Sequence, residues 1–152
     1  MFILELIGSL WARLRRRGED GRGASATRAV GDRAEEFALA HLKQLGFRVL
    51  ERNLHDEDGE LDLVGRMKGL EGLVVVEVRA RKTGGLITPR EAVDARKQRQ
   101  VVQTARRLLR RKGYHDVLRF DVVGVYLDGE GNPTRAEHFP DAFDARVLRE
   151  RA

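Results

Sequence analysis

Two short apolar segments of this 152-residue chain are each interrupted by a carboxylate, and this feature constrains the fold most strongly. Their hydrophobic runs and the glycines beside them predict two β-strands. A charge inside an apolar strand is costly unless it meets a partner or a metal, so two such interruptions close together indicate a site. The segments are Gly59-Glu60-Leu61-Asp62-Leu63-Val64 and Val74-Val75-Val76-Glu77-Val78-Arg79.

Alternation along a strand predicts which of these side chains share a face. Residues two apart point the same way, so Glu77 and Arg79 lie on one face and the valines between them on the other. Asp62 joins them if the two strands pair through a turn at residues 67–72. The sequence therefore predicts that an Asp, a Glu and a cation converge on one surface.

Length and composition favour one main domain with an N-terminal extension. The chain is long enough for a sizeable core, and it contains no cysteine, which excludes disulfides and thiolate metal sites. Residues 1–17 predict an amphipathic helix, 18–26 a glycine-rich flexible linker, and 27–152 the main domain. The arginines of the first helix follow its apolar stretch, so an export signal is not predicted and a cytoplasmic location is favoured.

Positive charge is concentrated directly after the second strand. Residues 79–112 carry 12 Lys or Arg against two acids, although the net charge of the whole chain is only +5. This concentration is typical of a protein that binds a phosphate-rich partner. An arginine-rich solvated surface is the alternative explanation, since Arg outnumbers Lys by 24 to 5.

The remaining periodicities predict the order α-β-β-β-α-β and hence an α/β fold with a mixed sheet flanked by helices. A helix is predicted over 27–45, a strand over 47–52, a loop over 53–59 and, after the two site strands, a long helix from Pro89 to Lys112. A strand over 119–127, a turn over 128–133 and a short strand over 134–139 complete the pattern. The loop Asp56-Glu57-Asp58-Gly59 lacks the spacing of a calcium-binding EF-hand, and the four histidines have no metal-like spacing.

The carboxylate pattern resembles the PD-(D/E)xK nucleases, whose fold is the restriction-endonuclease-like three-layer α/β/α. Arg79 stands where these enzymes usually have lysine. From Gly31 to about Phe143 the chain is similar to the YraN family of bacterial proteins, which resemble archaeal Holliday-junction resolvases. The matching residues include Gly31-Asp32-Arg33-Ala34-Glu35, Arg52-Asn53, Gly59-Glu60-Leu61-Asp62-Leu63, Val76-Glu77-Val78-Arg79 and Phe120-Asp121-Val122-Val123.

This resemblance implies a metal-dependent endonuclease acting on structured or branched DNA. By the same resemblance Glu35, Asp62 and Glu77 would hold Mg²⁺ or Mn²⁺, and Arg79 would hold the scissile phosphate. Lys82 and Lys97 are candidates to replace the missing lysine. The alternative is a nucleic-acid-binding module that cleaves nothing, and a second copy of the chain is a further candidate partner. The predicted nucleic-acid contacts are Arg81, Lys82, Arg96, Lys97, Arg99 and Arg106.

Overall fold

The computed structural model describes residues 23–82 and 93–148. Within them lie helices α1 (Gly23–Gln44) and α2 (Ala95–Arg111) and strands β1 (Phe47–His55), β2 (Glu60–Met67), β3 (Leu73–Lys82), β4 (Val117–Leu127) and β5 (Pro133–Phe143). A short 3-10 helix, Ala145–Leu148, follows β5. The order along the chain contains the predicted α-β-β-β-α-β series, and the short final strand predicted over 134–139 is observed as the longer β5.

The described strands form one five-stranded mixed sheet in the order β1-β2-β3-β4-β5. Strands β3 and β4 are parallel, and the other neighbouring pairs are antiparallel. Because a parallel pair needs a crossover connection, α2 lies between β3 and β4 in the chain. The predicted α/β class and mixed sheet are confirmed.

One described helix packs on each face of the sheet. Alternate residues of β3 separate the two cores: Val75 packs with α2 residues such as Val101 and Leu109, whereas Val74 packs with α1 residues such as Leu42. This division is the period-two pattern expected of a strand buried on both faces. None of the helices in 23–82 and 93–148 is long and apolar enough to cross a membrane.

Helix α1 ends at a glycine, as predicted. Gly46 adopts a φ of +94°, which favours glycine, and its carbonyl accepts a hydrogen bond from the Lys68 N–H. The helix begins earlier than expected, because Gly23–Ala26 at the end of the predicted linker are already helical. The predicted N-terminal helix over 1–17 and the rest of the linker lie outside the described residues.

Helix α2 begins at Ala95, so its predicted start at Pro89 is wrong for the described part of this segment. Asp94 caps the helix: its backbone is extended and its carboxylate accepts a hydrogen bond from the Lys97 N–H. Val93 is buried immediately before the cap and is not helical. Pro89 itself lies outside the described residues. A second correction concerns the loop over 53–59, because β1 continues to His55 and only residues 56–59 connect it to β2.

Candidate functional site

Asp62 and Glu77 lie side by side where β2 and β3 begin to separate. Both carboxyl groups are buried, with 9% and 4% of the residue exposed. The paired residues of β2 and β3 end at Leu63 and Val76. One residue further in each strand, Asp62 therefore lies beside Glu77. Beyond that pair the Asp62 side chain, and not its backbone, bonds to β3: its Oδ2 accepts a hydrogen bond of 2.8 Å from the Val78 N–H.

Two cations contact Glu77. Lys97 Nζ, from the first turn of α2, lies 3.4 Å from Glu77 Oε1, and Arg79 Nη2 lies 3.5 Å from the same oxygen. All three side chains are mostly buried, so these contacts are screened less than surface ion pairs. Glu77 is therefore neutralised by the protein itself, and Lys97 reaches the site from a distant part of the sequence.

Glu35 approaches the same site from α1. It is buried, with 5% of the residue exposed, on the helix face that it shares with Ala34 and Ala38. Its neighbour Glu36 points to the surface and pairs with Arg52. The two adjacent acids thus have different surroundings, and the one selected from the sequence is the buried one.

Burial raises the pKa of Asp62 to about 8, and the negative charges of Glu77 and Glu35 push the pKa in the same direction. The hydrogen bond from the Val78 N–H and the charge of Lys97 oppose this shift without cancelling it. The raised value means that this buried cluster disfavours the ionised form of Asp62. Such a cluster favours either a proton or an added cation.

The donor chemistry is compatible with a hard divalent cation, although the carboxylates are not gathered as a finished cage. Among the residues that the structure describes, no group of three or more His, Asp or Glu side chains is close enough to hold a metal ion. Asp62 and Glu77 provide two carboxylates, and Glu35 is near enough to affect Asp62 electrostatically. Oxygen donors of this kind suit Mg²⁺ and Mn²⁺.

Two buried side-chain atoms in the described ranges have no hydrogen-bond partner: Arg79 Nε and Asn53 Oδ1. Arg79 neighbours the acids, and its guanidinium contacts Glu77 only at 3.5 Å. A guanidinium with an unused donor is suited to binding phosphate. In the sequence, Asn53 is notable only as part of the family pattern Arg52-Asn53.

The predicted nucleic-acid contacts occupy different positions. Lys82 is exposed at the end of β3, whereas Arg81 is half-buried beside it. On α2 one face carries exposed or half-buried arginines at helical spacing, which we call the arginine stripe, and none of its members forms an ion pair with a described residue. The stripe consists of Arg96, Arg99, Arg106 and Arg110, of which only Arg110 is absent from the sequence prediction.

Other basic residues of α2 are used inside the fold. Arg107 makes two hydrogen bonds, of 2.6 and 2.8 Å, to the Asp56 carboxylate, and Arg111 lies 3.6 Å from it. The hydrogen bond from Arg107 holds the pKa of Asp56 well below its usual value. Asp56 also accepts hydrogen bonds from the N–H groups of Asp58 and Gly59. The loop before β2 is thereby fastened to α2, a contact between distant residues that no local pattern in the sequence indicates.

A second buried aspartate lies on β4, on the α1 side of the sheet. Asp121 is fully buried and receives two hydrogen bonds of 2.7 Å from Arg119 and one of 3.0 Å from the Asp141 N–H. His138 Nε2 lies 2.7 Å from its Oδ2. Burial pushes the pKa of Asp121 upward, but the hydrogen bonds from His138 and Arg119 outweigh burial and hold it below its usual value. This carboxylate is fully partnered.

Comparison with known proteins identifies relatives over most of the chain. The sequence model of a family described as Uncharacterised protein family UPF0102 matches residues 34–125. A UPF0102 protein of Pelobacter propionicus is 39% identical over 137 residues, which cover 85% of this chain and 97% of that protein. One from Anaeromyxobacter dehalogenans is 45% identical over 128 residues, covering 84% and 90%. One from Porphyromonas gingivalis is 40% identical over 119 residues, covering 78% and 87%.

Proposed function

The chain belongs to the uncharacterised protein family UPF0102, and we propose that it is a metal-dependent nuclease with a restriction-endonuclease-like arrangement of its sheet and helices. The resemblance to the YraN family is confirmed by this membership, since UPF0102 is the family of the YraN proteins. The observation that carries the nuclease proposal is the pair of buried carboxylates of Asp62 and Glu77, which lie side by side on β2 and β3 with Lys97 and Arg79 in contact with Glu77.

A divalent cation would offset the negative charges of Asp62, Glu77 and Glu35. Asp62 and Glu77 would hold Mg²⁺ or Mn²⁺, with Glu35 as a further ligand or as the group that orients its water. When bound, such a cation activates water and neutralises the leaving oxygen of a phosphodiester. Lys97 lies 3.4 Å from Glu77, so metal binding is expected to compete with this ion pair.

In the nucleases this chain resembles, one strand lysine serves the site; here two residues, Arg79 and Lys97, would share its roles. Arginine stays protonated at working pH and does not take a proton from water, so Arg79 binds and stabilises phosphate charge through its unused donors. Lys97 is the better replacement for the missing lysine, because it contacts Glu77 whereas Lys82 is exposed at the strand end.

The arginine stripe supplies a surface for the DNA backbone. It begins at Arg96, next to Lys97, and extends to Arg110, which at the rise of an α-helix is about 21 Å. Cations at this spacing are suited to following successive phosphates and contribute binding that does not depend on base sequence. Branched or otherwise structured DNA in the cytoplasm is the proposed substrate.

Cleavage in Mn²⁺ of a panel of branched, single-stranded and duplex DNAs tests the activity. The wild type is expected to cut at least one substrate, and Glu77→Ala to lose at least three orders of magnitude in rate. Glu36→Ala is the matched control, because it removes an exposed carboxylate of the adjoining helix. Wild-type protein that binds both Mn²⁺ and DNA but cuts no substrate would contradict the enzyme.

The second candidate is a nucleic-acid-binding module of the same family that does not cleave. The two cations on Glu77 favour it, because they already provide that carboxylate with positive partners. Arg79→Lys separates the candidates: it should keep or increase cleavage in an enzyme and leave a binding module inert.

Either candidate requires the arginine stripe. Changing Arg96, Arg99 and Arg106 to Ala should weaken DNA binding and reduce its salt dependence by about 0.9 of a unit of slope for each lost phosphate contact. The charge-matched control changes Arg28, Arg33 and Arg48, which are exposed elsewhere on the protein. An equal loss in both triple variants would show that net charge, and not the stripe, carries the binding.

A further inference from the structure

Strand β2 changes the face it presents at Asp62. Leu61 packs in the core on the α2 side, whereas Leu63 packs in the core on the α1 side. In a regular strand residues two apart share a face, so the backbone rotates between these two leucines. Asp62 is the residue at that rotation.

Strand β1 rotates at the matching level. Leu54 packs on the α2 side, while Arg52 reaches Glu36 of α1, although these residues are also two apart. The residue between them is Asn53, which adopts a φ of +49°. That left-handed conformation is rare for residues other than glycine and is tolerated best by Asn and Asp. It provides the rotation that keeps β1 paired with β2.

The strand register brings Asn53 opposite Asp62. The two chain neighbours of Asn53 pair with the two neighbours of Asp62, so these residues face each other across the antiparallel ladder. Opposite residues in such a ladder have Cα atoms about 4.5–5.5 Å apart. Asn53 is therefore a neighbour of the acid site, although it lies on β1 and the two acids lie on β2 and β3.

The Asn53 carboxamide carries an oxygen that is buried and has no hydrogen-bond partner among the described residues. Leaving such a group unpaired is costly, so an orphaned acceptor at this position indicates a place for a ligand. The other orphaned atom in the described ranges, Arg79 Nε, belongs to the same site. Arg79 is in contact with Glu77, and the strand register places Asn53 at the position opposite Asp62.

We propose that Asn53 Oδ1 is a neutral oxygen donor to the divalent cation of this site, either directly or through a water molecule on the cation. The inference rests on the proposed function, because it requires a cation at Asp62 and Glu77. Amide oxygens are hard donors that Mg²⁺ and Mn²⁺ accept beside carboxylates. A neutral donor adds a ligand without adding to the repulsion between the acids.

A competing explanation is that asparagine is present only because it tolerates a positive φ. Asn53→Gly separates the two, since glycine keeps the left-handed backbone and removes only the carboxamide. The chain offers a matched control in Asp141, the other non-glycine residue with positive φ in the described ranges, at +52°. Asp141 is exposed on β5, and Asp141→Gly retains the N–H that bonds to Asp121.

The experiment is isothermal titration of the purified full chain with Mn²⁺, with circular dichroism as a check of folding. Asn53→Gly should bind Mn²⁺ about 10-fold more weakly than the wild type, the lower end of the effect of losing a supporting ligand. Asp141→Gly should bind like the wild type. Asn53→Asp keeps an oxygen at the same position and should bind at least as tightly as the wild type.

Three results would overturn the inference. Wild-type affinity in Asn53→Gly, together with weak binding in Asp62→Ala, would remove Asn53 from the site and leave the proposed metal-dependent function intact. An equal loss in both glycine variants would assign the effect to the backbone and not to the amide. Absence of Mn²⁺ binding by the wild type would overturn this inference and the proposed function together.

Discussion

Asp62 and Asp121 are both buried aspartates within apolar strands, yet their neighbours shift their pKa values in opposite directions. Asp62 has one backbone hydrogen bond and two neighbouring acids, and its pKa is raised to about 8. Asp121 has Arg119, His138 and a backbone N–H, and its pKa is lowered. Burial acts upward on both groups, so the partners decide the direction. A buried acid with its partners supports the fold, while one without them is suited to receiving a ligand.

The largest expected effect is on stability at Asp121. Asp121→Asn removes the negative charge that neutralises Arg119, leaving a mostly buried cation unpaired, and should lower the free energy of unfolding by about 3–5 kcal/mol at pH 7. Urea denaturation measures this loss. A change below 1 kcal/mol would mean that the cluster is no more than a surface-type ion pair, and the contrast with Asp62 would fail.

The effect of Asp62→Asn on the free energy of unfolding should have the opposite sign and be smaller. Asp62 holds its proton to about pH 8 in the folded chain but releases it near 3.8 when unfolded, so wild-type stability is lost as pH rises between these values. Asparagine has no proton to lose and still accepts the Val78 hydrogen bond. We expect the variant to match the wild type near pH 4 and to exceed it by about 1–3 kcal/mol at pH 8.

Thermal denaturation across pH 4–8, in a metal chelator, measures this difference. Glu36→Gln is the control, because it neutralises an exposed acid. An Asp62→Asn variant that is less stable than the wild type at pH 8 would show that the carboxylate already has a cationic partner strong enough to hold it ionised.

The smallest expected effect is stabilisation by metal. Mn²⁺ at ten times its dissociation constant should raise the free energy of unfolding of the wild type by about 1.4 kcal/mol. The same addition should leave Asp62→Asn nearly unchanged and should still stabilise Asp121→Asn. If Mn²⁺ stabilised all three proteins equally, the cation would bind somewhere other than the acid site.

Much of the fold follows from local patterns because its central strands are largely buried and bounded by clear turns. The helix before β1, the turn at 67–72 and the two site strands lie where hydrophobic periodicity predicts them. The start of α2 at Ala95 differs from the predicted start at Pro89. Pro89 is a good first helical residue, but Asp94 is an equally good cap and is the one that caps α2.

The carboxylates of the candidate site were visible in the sequence, but their surroundings were not. The sequence Leu61-Asp62-Leu63 and the sequence Phe120-Asp121-Val122 show the same interrupted apolar run. Tertiary packing brings Lys97 and Glu35 to Asp62 and His138 to Asp121, whereas Arg119 lies two residues before Asp121 on the same strand and shares its face. The proposed role of Asn53 is equally hidden in the sequence, since it depends on a left-handed backbone within a paired strand.

The contact between the loop before β2 and α2 has an evolutionary consequence. A Cβ added to Gly59 would overlap the hydroxyl oxygen of Thr104, which is buried in α2. A scan of single substitutions would therefore find position 59 intolerant and invite the conclusion that it is catalytic, although the cause is steric. Positions 59 and 104 are expected to change together across lineages, with a larger residue at one accompanied by a smaller residue at the other.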